Sequence, residues 1–342
     1  MKRSHLVAAL LAAFTLSIQP SAQADTFGTS GNEFTIDFVA IGNPGNAADT
    51  SGAPNPAGAV AASFRIMEFE FQNQQYTAFL NAIDPNGTNP NSVYSANMGS
   101  NVRGGISFTS GAASGSKYAV KTNMGDKPVN YVNWFDAARV ANWLQNGSTE
   151  TGAYTLNNIT SGIAPAVNSD ATFYIPTENE WYKAAYYKGG GTNAGYWDYA
   201  TQSDTAPTAV TASANGIGSS GSAGNSANYN SVADWNGQDG NVTTVGSNGG
   251  ASAYDAFDMG GNIQEWNDLT GAAGLSRGLR GGYWNLKLAS SLSSSFRNAI
   301  DPGVENIVIG FRLASVPEPS TAVLVLMAGA GWLLWKRRKA AL

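Results

Sequence analysis

The chain has 342 residues, 43% apolar and 13% charged, with 40 glycines and a formal net charge of −5. This profile excludes a disordered or mainly helical protein and fits a loop-rich globule containing strands. There is no cysteine and the single histidine is His5, so the body has no Cys or His ligand, thiol nucleophile or imidazole base, which excludes zinc sites, His-ligated iron and Ser-His-Asp or Cys-His hydrolysis, and no disulfide can form.

Residues 1–24 read as an export signal. Lys2 and Arg3 form the basic start, Leu6–Leu16 the apolar run, and Ala22-Gln23-Ala24 a small-x-small cleavage site, with cleavage expected after Ala24. The body, 25–315, opens with an expected strand at Glu33–Ile41, followed by a Gly/Pro/Ala/Asn loop over Gly42–Gly58. A second strand is expected at Phe64–Phe71, alternating Phe64, Ile66, Glu68 and Glu70 against Arg65, Met67, Phe69 and Phe71. Asn73 is expected to cap a helix with Tyr76, Phe79, Leu80 and Ile83 at helical spacing, closed by Asp84-Pro85. Pro90–Met124 is polar and irregular, with a short strand near Ile106–Phe108.

Asn133 starts a second helix with an apolar stripe of Trp134, Ala137, Val140, Ala141 and Leu144, ending near Gly147. A short strand is expected at Phe173–Pro176. Thr177-Glu178-Asn179-Glu180 is a capping box for a third helix, which gives Glu180 a structural role. Thr201–Gly250 is rich in Ser, Asn, Ala and Gly. Its Gly216-Ile217-Gly218-Ser219-Ser220-Gly221 matches the dinucleotide fingerprint in letters only, because no strand precedes it and no helix follows. Asp234-Trp235-Asn236-Gly237-Gln238 starts like an EF-hand loop but has Asp239 at position six and Val245 at position twelve.

Tyr254–Asp268 is the densest candidate site. Gly260 and Gly261 permit a tight turn, and Asp258 and Glu265 bracket oxygen ligands for a hard cation. The alternative is a polar loop pinned by Trp266 in the core. Short strands are expected at Leu279–Trp284 and Ile307–Leu313. At the end, Val316-Pro317-Glu318-Pro319-Ser320 precedes the apolar run Thr321–Trp335 and the basic Lys336-Arg337-Arg338-Lys339. The run is short for a span of roughly 20 residues, and the basic end would lie in the cytoplasm. Residues 316–342 resemble the PEP-CTERM sorting signal of Gram-negative bacteria. That resemblance implies processing by an exosortase-type enzyme, a membrane anchor through the C-terminal helix, and residence in the periplasm, at the outer surface or in the extracellular matrix. Without the two ends, thirteen basic residues face twenty-three acidic ones, a balance that argues against nucleic acid as a partner.

Several blocks recur in a fixed order: Pro128-Val129-x-x-Val132-x-Trp134-x-Asp136-Ala137, Tyr174-x-Pro176-Thr177-Glu178-x-Glu180-Trp181, Tyr196-Trp197, Ala227-Asn228-Tyr229, Met259 to Trp266, Arg280-Gly281-Gly282-Tyr283-Trp284 and Gly310-Phe311-Arg312. Together, over Phe34–Ala314, they resemble the formylglycine-generating enzyme family, the FGE-sulfatase or sulfatase-modifying factor domains. The resemblance implies an α+β fold, a variant of the C-type lectin fold with short twisted antiparallel strands, few helices and much loop. It also implies structural calcium at two sites. One would use the side chains of Asp258 and Glu265 with the carbonyls of Gly261 and Ile263. The other would use Asn228 and Asp239 with the carbonyls of Tyr229 and Asn241. The family's copper cysteines align with Leu286 and Ser291, neither a good ligand for soft monovalent copper, and the related iron sulfoxide synthases need histidines. The expectation is therefore a non-catalytic, calcium-stabilised binding or structural module, with extracellular polysaccharide or protein as partner and Trp197, Trp235 and Trp284 either as stacking surfaces or, for most of them, as core residues. The competing reading is a glycan hydrolase using Asp255 with Asp258 or Glu265.

Overall fold

A computed structural model describes residues 23–29, 31–221 and 223–317. The longest strand is Phe34–Ile41, at eight residues, and most of the body is loop between short elements. Five strands form the larger sheet. Gln23–Phe27 pairs antiparallel with Phe34–Ile41, which pairs with Phe64–Met67, then Ala314–Ser315, then Phe173–Tyr174. A second sheet orders Asn298–Ile300, Arg277–Arg280, Gln264–Asn267 and Ile309–Gly310, the last pair parallel. The result is α+β with few helices, as expected.

Among the described residues there are four α-helices: α1 (Asn73–Ile83), α2 (Ala96–Ser100), α3 (Trp134–Asn146) and α4 (Glu178–Tyr186). Two of the three caps read from sequence form. Asn133 Oδ1 accepts from Asp136 N at 2.9 Å while Asp136 Oδ2 accepts from Asn133 N at 2.9 Å. Glu180 Oε2 accepts from Thr177 N at 2.8 Å, which makes Glu180 the reciprocal half of the α4 cap. The α1 cap shifts by one residue, to Gln72. Asn73 instead donates to the Met124 carbonyl at 2.9 Å, fastening the helix start to the loop before Pro128.

Three expected strands are shorter than their patterns. Phe64–Met67 stops because the carbonyls of Met67 and Glu68 turn to Arg312 Nη1, 3.1 Å from each, instead of to a neighbouring strand. Arg277–Arg280 stops at Gly281 and Gly282, both in the left-handed region with φ of 92° and 71°. The stretch 307–313 pairs only at Ile309–Gly310, and Ala314–Ser315 then crosses to the other sheet. Alternation reports which side chains are buried, whereas a strand also needs a partner for each carbonyl.

Two apolar clusters fill the interior. The larger gathers Phe71, Tyr76, Phe79, Trp134 and Phe311; the smaller gathers Ile41, Ile66, Trp181, Tyr182 and Tyr186. The expected membrane anchor through a C-terminal helix is corrected: among the described residues no helix is long and apolar enough to cross a membrane. The apolar run 321–335 and most of the export signal lie outside the described residues.

Candidate functional site

Asp258 precedes the strand Gln264–Asn267 in a loop whose backbone is left-handed at Asp258, Gly261 and Asn262. Its Oδ2 accepts from Gly246 N at 2.5 Å and its Oδ1 from Asn248 Nδ2 at 2.9 Å. Burial pushes its pKa up, against those two hydrogen bonds and the charge of Arg312. Glu265, fully buried on the strand, holds Arg312 bidentately, with Nε–Oε2 at 2.8 Å and Nη2–Oε1 at 2.7 Å. Trp181 Nε1 also donates to Oε2 at 2.7 Å, joining the smaller core to the second sheet. Burial alone would lower the Arg312 pKa, but the charges of Glu265, Glu70 and Asp258 hold it above the usual value.

Glu70 completes this buried group, and the sequence reading had treated it only as a strand residue. Its Oε2 accepts from Asn262 Nδ2 at 2.9 Å, while Oε1 is buried with no hydrogen-bond partner. Burial, then the charges of Asp258 and Glu265, push its pKa well above the carboxylate range. A sequence signal was present: Glu68 and Glu70 continue the alternating face begun by Phe64 and Ile66, an unfavourable place for a carboxylate without a purpose-built partner.

The two expected cation sets meet at one glycine. Asn262 N donates to the Asn228 carbonyl at 2.8 Å, and a Cβ on Gly261 would lie 2.5 Å from that oxygen. Asn228 Nδ2 lies 2.8 Å from the Asn241 carbonyl and 3.0 Å from Thr243 Oγ1, whereas Asn228 Oδ1 is buried without a partner. Asp239 is exposed, and its carbonyl accepts from Arg103 Nη2 at 3.1 Å. Ile263 is buried and Tyr229 half-buried beside them. Among the described residues, no three carboxylate, Cys or His side chains converge on a metal position, so each set would have to complete its one or two carboxylates with amide and carbonyl oxygens. That donor chemistry fits calcium in kind: the orphaned Asn228 oxygen is a ready ligand, and Glu265 Oε1 accepts a single N–H and keeps a lone pair.

The carboxylate-pair reading finds no support in this geometry. Asp255 is exposed, Asp258 is engaged by Gly246 and Asn248, and Glu265 is closed by Arg312 and Trp181. The stacking reading is also corrected for two of its tryptophans. Trp235 and Trp284 are 5% and 4% exposed, lie under Lys127 and Arg103, and belong to the larger core. Trp197 is half-buried beneath Lys188. Gly216, from the rejected fingerprint, packs on the Trp235 ring, 2.5 Å from where a Cβ would sit.

A family model for the sulfatase-modifying factor enzyme 1-like (FGE-sulfatase) domain matches residues 26–316. The chain belongs to this FGE-sulfatase family. Among solved structures it is similar to Treponema denticola variable protein 1, at 21% identity and a TM-score of 0.48, covering 87% of this chain and 100% of that one. It is also similar to CarF, at 21% identity and a TM-score of 0.47 over 83% of this chain and 99% of that one. A third likeness is to PvdO from Pseudomonas aeruginosa, at 16% identity and a TM-score of 0.42 over 86% and 98%. No curated protein matches the sequence significantly.

Leu286 and Ser291 both lie against the turn at Gly282. A Cβ on Gly282 would lie 3.2 Å from Leu286 Cδ1, 2.6 Å from the Ser291 carbonyl and 2.5 Å from Leu292 Cδ2. The region is thus an apolar contact around a backbone turn. Beside it, Glu178 accepts from Arg280 Nε at 3.0 Å and from Arg297 at 2.8 Å through both oxygens. Arg280 also reaches the Ala53 carbonyl, tying the long Gly42–Gly58 loop to this face.

Proposed function

We propose that this FGE-sulfatase-family protein is an exported binding module in which the family's scaffold, a variant of the C-type lectin fold, is kept without the oxidase chemistry. The observation that carries the proposal is the packing of Leu286 and Ser291 around Gly282, in a chain with no cysteine and its only histidine at position 5. A leucine side chain cannot ligate copper, and a serine hydroxyl binds monovalent copper weakly. Calcium would be structural, held by Asp258, Glu265 and the carbonyls of Gly261 and Ile263, and by Asn228, Asp239 and the carbonyls of Tyr229 and Asn241. Its chemistry would be to neutralise the carboxylates and satisfy the oxygens buried around Gly261.

The test is direct. The protein is incubated with monovalent copper, oxygen and a cysteine-containing sulfatase peptide, and the peptide is weighed by mass spectrometry. The peptide is expected to remain unmodified; conversion of its cysteine to formylglycine would overturn the proposal. Sequencing the N-terminus of the exported protein checks the signal, with Asp25 expected as the first residue.

A further inference from the structure

A groove of about 250 Å³ opens beside the start of α4, built from four separate parts of the chain. Its apolar wall comes from Val167, Ala171, Ile175 and Val316. Its polar side comes from Tyr174, Glu180 and Asp268. None of these is a proposed calcium ligand, so the groove stands apart from the scaffold reading and does not depend on it.

The charges decide what would enter. Asp268 is already matched: Arg277 Nε lies 2.6 Å from its Oδ1, an ion-pair contact outside hydrogen-bonding geometry, and the Tyr154 hydroxyl donates to Oδ2 at 3.1 Å. Glu180 is not matched. Its partners are the Tyr174 hydroxyl at 2.9 Å and the Thr177 N–H and hydroxyl, both at 2.8 Å. All three donors are neutral, and Glu180 enters no ion pair among the described residues. The nearby Lys183 ammonium donates to the Asn43 carbonyl at 2.9 Å instead. A carboxylate offers about four acceptor positions, so Glu180 retains one. A half-buried carboxylate with no ion-pair contact, felt by Lys183 only at a distance, against an aliphatic wall and beside a tyrosine ring, is complementary to a small ammonium group bearing a hydrocarbon chain. The volume lies below the ~300–1,000 Å³ common for drug-sized ligands, which points to a small one.

We propose that this groove binds a small organic amine in its ammonium form, with the charge on Glu180 and the alkyl part against Ala171, Ile175 and Val316. The probe is n-butylammonium, titrated into the full-length protein by NMR, with n-butanol as the neutral analogue of equal length. Butylammonium is expected to bind saturably and at least tenfold tighter than butanol. Glu180→Gln keeps the capping box, since glutamine serves at that position, and is expected to reduce butylammonium affinity at least tenfold without changing the response to butanol. Ala171→Trp fills the groove without touching the cap and is expected to abolish butylammonium binding. Equal affinity for the two probes, unchanged affinity in either variant, or no saturable binding would each overturn the proposal. If Glu180→Gln does not fold, the comparison of butylammonium with butanol and the Ala171→Trp variant still decide.

Discussion

Arg312 and Glu265 form a fully buried bidentate ion pair, with neither side chain exposed to solvent. The pair spans the molecule. Glu265 sits on the second sheet, while Arg312 also caps the carbonyls of Met67, Glu68 and Phe257. Desolvating two charges is costly, so the pair's net worth is modest, but removing one member strands the other. Arg312→Met is therefore expected to destabilise the fold by about 3–5 kcal/mol. Arg312→Met combined with Glu265→Gln is expected to recover part of that loss. Urea unfolding of the wild type and three variants measures the coupling; strictly additive effects would show that the pair does not act as a unit.

Calcium binding to the native state predicts a concentration-dependent melting temperature. At a hundredfold excess over Kd the gain is about 2.7 kcal/mol. The melting temperature is expected to fall on adding chelator and to return with calcium, and Asp258→Ala and Asn228→Ala are each expected to diminish the difference. Identical melts with calcium and with chelator would remove calcium from the proposed function.

Gly261 is a position where a side chain is poorly tolerated. Its φ is 88°, and a Cβ would meet the Asn228 carbonyl at 2.5 Å. Gly261→Ala is expected to cost about 1–3 kcal/mol from backbone strain alone, with further loss from displacing Asn228. Gly271→Ala is the control: its φ is also positive, at 79°, but its nearest neighbour would be 3.5 Å away. A similar cost at both positions would mean that backbone conformation, not the approach of Asn228, sets the penalty at Gly261.

Asp268 makes stability depend on pH. Burial, partly offset by Arg277, raises its pKa from 3.8 to about 7. The folded state therefore holds a proton that the unfolded chain releases as pH rises through about 4. Stability from this group is fully present below pH ~4 and declines towards pH 7, by at most on the order of 4 kcal/mol. Asp268→Asn is expected to flatten that slope. Above pH ~7, where the folded Asp268 is ionised, it should also lower stability, because Arg277, 1% exposed, loses its counter-charge. Chemical unfolding from pH 4 to 8 reads both effects; an unchanged slope in the variant would assign the titration elsewhere.

Local rules carried the helices. Asn133, Thr177 and Glu180 act within one helical turn, so their caps were legible from spacing and formed as expected. Strand lengths were less legible, because Met67 and Glu68 surrender their carbonyls to an arginine 244 or more residues away in the chain. Whether Trp235 and Trp284 are surfaces or core was undecidable locally for the same reason: what covers them is Lys127 and Arg103, from distant loops.

The sequence by itself determined the family frame, through blocks kept in order, and the absence of any thiolate, because a residue type that is missing cannot be supplied by folding. Only the tertiary structure decided which carboxylates are closed and which are open. Asp258 and Glu265 were singled out by their spacing, yet they are buried and engaged, while Glu70 joins them from more than 180 residues earlier. Glu180, readable only as a cap from its local pattern, is the carboxylate left facing an apolar groove. Spacing encodes contacts along one element, whereas charge compensation depends on which distant chains are folded against it.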